Sequence, residues 1–111
     1  MGSFRSVEES IDEETQLVVI HGDVDLKTAR AFRGALRDAA QDRKPRLIVD
    51  MTDVPFMDSS GLAALIGAQK ALGARTRLIV VCPDSLRRLF EVTRLDSIVS
   101  VVGSLPEALV A

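Results

Sequence analysis

The chain of 111 residues contains no tryptophan and no tyrosine, and it has only one cysteine and one histidine. Proteins that bind nucleic acid usually have a basic face and aromatic side chains that stack on bases, whereas this chain has a net charge of −2. We therefore expect no direct binding of nucleic acid. The single cysteine, Cys82, excludes an internal disulfide and a cluster of thiolate metal ligands. It ends an apolar run, and we interpret it as a buried, unreactive thiol.

Long hydrophobic runs are also missing from the sequence. The longest have about five residues, whereas a helix needs about 20 to span a bilayer. The start of the chain lacks the charged and apolar regions of a signal peptide, so we expect a cytoplasmic protein without membrane insertion. The length and the hydrophobic content of 47% are typical of one globular domain, which we place at residues 1–111 without a linker. No large exposed apolar stripe is evident in the sequence, which makes a monomer the expected state.

Arginines cluster at two places on predicted helices. Arg30, Arg33 and Arg37 recur near one face of the first helix, and Arg87 and Arg88 lie on another helix. Clusters of this kind are usually solvated helix faces. We interpret both clusters in this way.

The pattern of apolar and polar residues predicts the element order ββαβαβαβα. Two strands form an N-terminal β-hairpin, and strands then alternate with about four helices, which calls for right-handed crossovers. The predicted fold is therefore a single α/β domain with a mixed, mostly parallel sheet. The predicted strands lie within residues 4–11 and at residues 17–20, 47–51, 78–82 and 98–102. The predicted helix start signals are Thr28, Ser59 or Ser60, residues 83–85 with the sequence PDS, and a capping box of Ser104 and Glu107.

The turn at residues 54–62, with the sequence VPFMDSSGL, leads from a buried strand directly into a helix. In a mostly parallel sheet, the loops at the carboxyl ends of the strands form one face, and that face usually carries the site. A serine that opens a helix can cap free backbone N–H groups. The same groups, with the helix dipole, stabilise a phosphate by roughly 0.3 to 1 kcal/mol at an exposed site. We therefore expect the function at this turn.

Several carboxylates are expected to converge at the same face. Asp23 and Asp25 follow one predicted strand, and Asp53 and Asp58 follow another. One hypothesis is a phosphotransferase of the haloacid dehalogenase type, in which Asp23 and Asp25 supply a nucleophile, a general acid and a Mg²⁺ ligand. Lys27 stands where this type has Thr or Val, and the chain leaves no room for a cap domain.

Two other hypotheses concern the serines. A serine hydrolase with Ser59 on a nucleophile elbow would need glycine where Met57 stands, and His21 is the only imidazole available as a base. Alternatively, the aspartates and serines only cap helices and turns.

Residues 56–62, with the sequence FMDSSGL, strongly resemble the signature of STAS domains, specifically of bacterial anti-sigma factor antagonists of the sporulation and stress-response type. Residues 22–25 (GDVD) match the Gly-Glu-Leu-Asp element of that family, and residues 86–90 (LRRLF) match a segment of its third helix. The resemblance covers nearly the whole chain.

The resemblance implies a non-enzymatic protein in which Ser59, the first serine after the aspartate, is phosphorylated. The kinase is a partner that is both an anti-sigma factor and a serine kinase. The unphosphorylated form binds this partner and frees a sigma factor, and a serine phosphatase resets the cycle. No cofactor is implied for this chain, because ATP and Mg²⁺ belong to the kinase. The implied partner-binding and switch region comprises Asp25, Asp58, Ser60 and Gly61.

The chain departs from the family pattern at three positions. Asp23 replaces a glutamate, Ala63 stands where many members have glycine, and Arg94 replaces a glycine in a loop that turns sharply in the family. Asp25 is expected either to orient the Ser59 hydroxyl or to contact the nucleotide region of the partner. An alternative function is that of a STAS subunit or scaffold in a membrane lipid-transport system or a stress-sensing complex, without a phosphorylation switch. The intact Asp-Ser-Ser-Gly turn favours the switch.

Overall fold

The computed structural model describes residues 3–111 and contains five strands and four helices. Met1 and Gly2, the first residues of the predicted domain, lie outside the described residues. The strands are β1 (Arg5–Ser10), β2 (Thr15–His21), β3 (Arg46–Asp53), β4 (Arg77–Val81) and β5 (Ser100–Val102). The helices are α1 (Ala29–Ala39), α2 (Ser59–Leu72), α3 (Asp84–Val92) and α4 (Leu105–Val110). Among residues 3–111, no helix is long and apolar enough to cross a membrane.

The strands form one sheet in the order β1-β2-β3-β4-β5. Strand β1 pairs antiparallel with β2, and every other neighbouring pair is parallel. The predicted N-terminal hairpin and mostly parallel sheet are therefore confirmed. This arrangement puts the carboxyl ends of β2 and β3 side by side, and the loops that follow them lie at the same edge of the sheet.

The main core lies between one face of the sheet and helices α1, α2 and α3. Phe32, Leu65 and Phe90 supply the large buried side chains of the three helices. Cys82 is buried in the same core, as predicted, and burial raises the pKa of its thiol to about 11. A thiol with such a high pKa is almost fully protonated near neutral pH, so Cys82 is a packing residue.

The second face of the sheet packs against α4, the shortest helix. Ala108 of α4 is fully buried against Ile48 and neighbouring apolar side chains of the sheet. Ser104 caps α4 by accepting a hydrogen bond from the backbone N–H of Glu107 at 3.3 Å, which confirms the predicted start. The Glu107 carboxylate accepts from the Ser104 hydroxyl, whereas a full capping box would use the backbone N–H of Ser104.

Two local predictions are wrong. The last strand begins at Ser100, because the backbone N–H groups of Ile98 and Val99 donate to the carbonyl of Leu95 in a 3₁₀ turn and cannot pair with β4. The side-chain cap expected for α3 within residues 83–85 is also not formed. The N-cap is Pro83, which makes no side-chain hydrogen bond, and Asp84 lies inside the first turn, where it forms an ion pair with Arg87 at 2.6 Å.

Candidate functional site

The loops that follow β2 and β3 are joined by backbone hydrogen bonds. Val24 and Met57 form an isolated parallel bridge between these loops. The Val24 N–H donates to the carbonyl of Phe56 at 2.9 Å, and the Asp58 N–H donates to the carbonyl of Val24 at 3.1 Å. The two loops therefore form one unit, and the structure brings together the two predicted motifs, GDVD and MDSSG.

Gly61 allows α2 to begin directly beneath this bridge. A Cβ added at Gly61 would lie 2.7 Å from Met57 Cγ and 2.8 Å from Val24 Cγ1. Real Cβ atoms essentially never approach heavy atoms so closely, so any side chain here would displace one of the loops. The glycine in the turn is required by this close approach.

Asp58 is the N-cap of α2. Its Oδ1 accepts a hydrogen bond from the backbone N–H of Ser60 at 2.8 Å, and its carbonyl accepts from the N–H of Gly61 at 3.1 Å. The expectation that a serine caps this helix is therefore wrong. Asp58 has the extended backbone conformation that a cap requires, while Ser59 is already the first residue of the helix.

Ser59 presents a free hydroxyl at the first turn of α2. Its side chain is exposed, and within residues 3–111 its Oγ makes no hydrogen bond, whereas Ser60 is half-buried. The N-terminus of a helix favours negative charge, because backbone N–H groups and the helix dipole both point towards it. Ser59 is thus accessible to an enzyme and lies where an added phosphate is electrostatically tolerated.

The two bridged loops also carry two exposed large apolar side chains, which were not identified as site residues in the sequence. Leu26, in the loop after β2, is 80% exposed, and Phe56, in the loop after β3, is 51% exposed. We call Leu26, Phe56 and Ser59 the switch surface. The available signal was that both residues stand in loops that follow strands, outside any periodic apolar pattern. Exposed apolar side chains that form a contiguous patch often mark a place where a partner binds.

The family model described as "Mlab, STAS domain" matches residues 7–103. The chain belongs to the STAS domain family. A protein named anti-sigma-B factor antagonist from Listeria monocytogenes is 35% identical to this STAS domain over 86 residues, which cover 76% of this chain and 75% of that protein.

Solved structures agree with this assignment. The crystal structure of an anti-sigma factor antagonist from Mycobacterium paratuberculosis has a TM-score of 0.85 and 28% identity, and the match covers 97% of this chain and 92% of that one. The antagonist SpoIIAA in its unphosphorylated form matches with a TM-score of 0.68 and 22% identity, over 97% of this chain and 94% of that one. SpoIIAA of Bacillus in the phosphorylated form matches with a TM-score of 0.67 and 24% identity, over 96% of each chain. The fold resemblance is therefore nearly the same for the two forms.

Asp25 of this STAS domain stabilises the turn that leads into α1. Its Oδ1 accepts hydrogen bonds from the backbone N–H groups of Lys27 at 2.9 Å and Thr28 at 3.1 Å, and its own N–H donates to Thr28 Oγ1 at 2.9 Å. Within residues 3–111, no hydrogen bond joins Asp25 to Ser59. The first expected role, orienting the Ser59 hydroxyl, is thus not seen in the structure. Contact with a partner stays a prediction.

Three of the four carboxylates expected at this face, those of Asp25, Asp53 and Asp58, have a local partner within residues 3–111. Asp53 Oδ2 lies 3.1 Å from His21 Nδ1, so the imidazole pairs with Asp53 instead of Ser59, and the arrangement needed for a serine hydrolase is not formed. Asp25 holds a turn and Asp58 caps a helix, which are the roles that the hypothesis of helix and turn capping gives to aspartates. Within residues 3–111, no three His, Cys, Asp or Glu side chains are grouped in a way that could hold a metal ion.

Proposed function

We propose that this STAS domain is an anti-sigma factor antagonist without enzymatic activity. Its unphosphorylated form binds an anti-sigma factor that is also a serine kinase, and this binding frees a sigma factor. Phosphorylation of Ser59 abolishes the binding, and a serine phosphatase restores it. The observation that carries the proposal is the free, exposed Ser59 hydroxyl on the first turn of α2, within a domain whose relatives are named antagonists.

The switch surface supplies the binding energy for such a partner. Burial of a leucine or phenylalanine side chain contributes about 1.5 to 3 kcal/mol, and Leu26 and Phe56 both retain large exposed areas in the isolated chain. The bridge between Val24 and Met57 fixes the two loops that carry them, so little conformational entropy is lost on binding. The apolar contacts and the phosphorylated group would lie on the same small surface.

Phosphorylation would change the charge of this surface more than its shape. A phosphoserine adds about −1.5 to −2 charges, and Asp58 is the adjacent residue. Each close pair of like charges across an interface costs about 1 kcal/mol in water and up to about 4 kcal/mol near a protein surface. Since about 1.4 kcal/mol corresponds to a tenfold change in affinity, a few such pairs weaken binding by a hundredfold or more.

The proposal also covers the cofactor requirement, the location and the oligomeric state of the protein. The ATP and Mg²⁺ of the reaction belong to the kinase, so this chain needs no cofactor. We place the protein in the cytoplasm, as a monomer, in contact with proteins and not with nucleic acid.

The proposal is tested by affinity capture from a lysate of the source organism. Wild type, Ser59→Asp and Ser59→Ala are immobilised side by side, with Ser60→Asp as the matched control for an added charge on the same turn. Wild type and Ser59→Ala should retain a small serine kinase that Ser59→Asp loses. The purified kinase should likewise bind wild type and Ser59→Ala but not Ser59→Asp. Equal capture of a transporter or scaffold protein by all four forms would overturn the proposal in favour of the alternative STAS function.

A further inference from the structure

A groove lined by four arginines separates α1 from α2. It has a volume of about 500 Å³. Arg33 and Arg37 of α1 line one side, Arg43 follows the 3₁₀ turn after α1, and Arg75 precedes β4. We call this feature the arginine groove. It begins at Ala64, five residues into α2 and roughly 7 Å along the helix axis from Ser59, and runs away from the switch surface.

The four guanidinium groups are not paired with any carboxylate of residues 3–111. Within the described residues 3–111, none of them forms an ion pair or hydrogen bond with another residue, and the lining of the groove contains no aspartate or glutamate. Four positive charges are thus concentrated around one cavity of a protein whose net charge is −2. A guanidinium group binds carboxylates and phosphates through paired N–H donors, so the groove is complementary to an anionic ligand.

The floor of the groove is apolar and made of small residues. Ala64, Gly67, Ala68 and Ala71 recur at the spacing of one helix face, and all four line the groove. A Cβ added at Gly67 would meet no atom within 4 Å, so no contact inside the chain requires this glycine. Glycine in the interior of a helix is destabilising compared with alanine, and small residues let a second helix approach closely.

The floor and the charges together indicate the class of ligand. A free phosphate needs no apolar floor, and the groove lining offers no aromatic side chain on which a nucleobase could stack. Ala64 is almost fully buried, so the accessible floor extends from Gly67 to Leu72, roughly 8 Å, which is about one and a half turns of a helix. An amphipathic helix with acidic residues beside its apolar face satisfies both features, since its apolar side covers the floor and its carboxylates reach the arginines.

We propose that the arginine groove docks an acidic amphipathic helix of a partner protein. This docking site is separate from the switch surface and does not depend on phosphorylation of Ser59. It also gives Arg33 and Arg37 a role beyond that of a solvated helix face. Because the interaction is partly electrostatic, we expect it to weaken as the salt concentration rises.

The probe is a stapled acidic amphipathic peptide of about four helical turns, titrated into the isotope-labelled full chain and followed by NMR. A peptide with lysine in place of each glutamate is the control. The acidic peptide should shift the amide signals of residues 64–71 and of Arg33 and Arg37, and the lysine peptide should not. The double variant Arg33→Ser with Arg37→Ser should weaken binding about fivefold.

Two further variants distinguish binding in the arginine groove from an effect of net charge and from a loss of folding. Arg30→Ser with Arg88→Ser changes the net charge equally but touches no groove residue, so binding should change less than about twofold. Gly67→Leu fills the groove from a position that faces open space, so the fold should persist while peptide binding is lost.

Four results would overturn the proposal. The first is that peptide shifts map to the switch surface, and the second is that both arginine double variants weaken binding equally. The third is that tripolyphosphate produces the same shifts at lower concentration than the peptide, which would identify a small polyphosphate ligand. The fourth is self-association of wild type that Gly67→Leu removes, which would identify a second copy of this chain as the occupant.

Discussion

Asp58 Oδ1 accepts the backbone N–H of Ser60 at 2.8 Å, and the Ser59 hydroxyl between these two residues has no hydrogen-bond partner within residues 3–111. Asp58 therefore stabilises the start of α2, while the proposed modification falls on its neighbour Ser59. In a helix whose cap is itself modified, the oxygens of the added phosphate would become the acceptors of the free backbone N–H groups. Here the cap can remain in place while the charge of the surface changes.

The first prediction concerns this division of roles. Ser59→Ala should change the free energy of unfolding by less than about 0.5 kcal/mol, because the side chain is exposed and makes no hydrogen bond. Asp58→Ala should lower it by about 1 kcal/mol, because the Ser60 N–H loses its acceptor. Urea denaturation of both variants, with Ser60→Ala as control, measures the two effects. A larger loss in Ser59→Ala than in Asp58→Ala would assign the cap to the serine.

The second prediction concerns the apolar part of the switch surface. Phe56→Ala should weaken binding of the partner kinase at least tenfold, because about 1.4 kcal/mol or more of apolar burial is lost. Thermal stability should change little, since half of the ring is already exposed. Val110→Ala is the matched control, because Val110 is 87% exposed on α4, at the opposite face of the sheet. Calorimetric titration that gives equal affinities for the two variants would place the binding surface elsewhere.

The third prediction compares two glycines of α2. Gly61→Ala should lower the free energy of unfolding by about 1 to 3 kcal/mol, because the new methyl group clashes with Met57 and Val24. Gly67→Ala should raise it by about 0.5 to 1 kcal/mol, because the methyl group meets open space and alanine favours the helix. Denaturant titration of both variants is the measurement. If Gly61→Ala were as stable as wild type, the close packing beneath the loop bridge would be refuted.

The fourth prediction concerns Arg94, one of the departures from the family pattern. Arg94 adopts the left-handed conformation, with φ 58 and ψ 35, which costs a residue with a side chain about 1 to 2 kcal/mol. Arg94→Gly should relieve this cost and stabilise the fold by up to about 1 kcal/mol, after allowance for the more flexible unfolded chain. Arg88→Gly, within α3, should instead destabilise by about 1 kcal/mol. A melting temperature for Arg94→Gly below that of wild type would show that this loop tolerates arginine without strain.

The order of strands and helices could be predicted from the sequence because local signals and burial agree for most elements. The apolar runs of β2, β3 and β4 are buried in the sheet, as strands of a parallel sheet usually are. The boundary of β5 could not be predicted in this way. Ile98 and Val99 favour a strand by residue type, but the 3₁₀ turn that holds their N–H groups depends on tertiary packing of Leu95.

The site was predicted in position but not in detail. The sequence places the two motifs at one edge of the sheet, and the bridge between Val24 and Met57 joins them there. Which of three adjacent polar residues caps α2 depends on the conformation of a single residue, and sequence spacing does not determine it. The exposure of Leu26 and Phe56 likewise depends on the path of the two loops, so no periodic pattern could identify them.

The most direct test of the phosphorylation switch is to map the phosphate. The purified chain is incubated with the captured kinase, ATP and Mg²⁺, and the modified residue is identified by fragmentation mass spectrometry, with Ser59→Ala and Ser60→Ala treated in parallel. We expect one phosphate on Ser59, its absence from Ser59→Ala, and loss of kinase binding by the phosphorylated chain. Phosphate on Ser60, or unchanged binding after Ser59 is phosphorylated, would contradict the account.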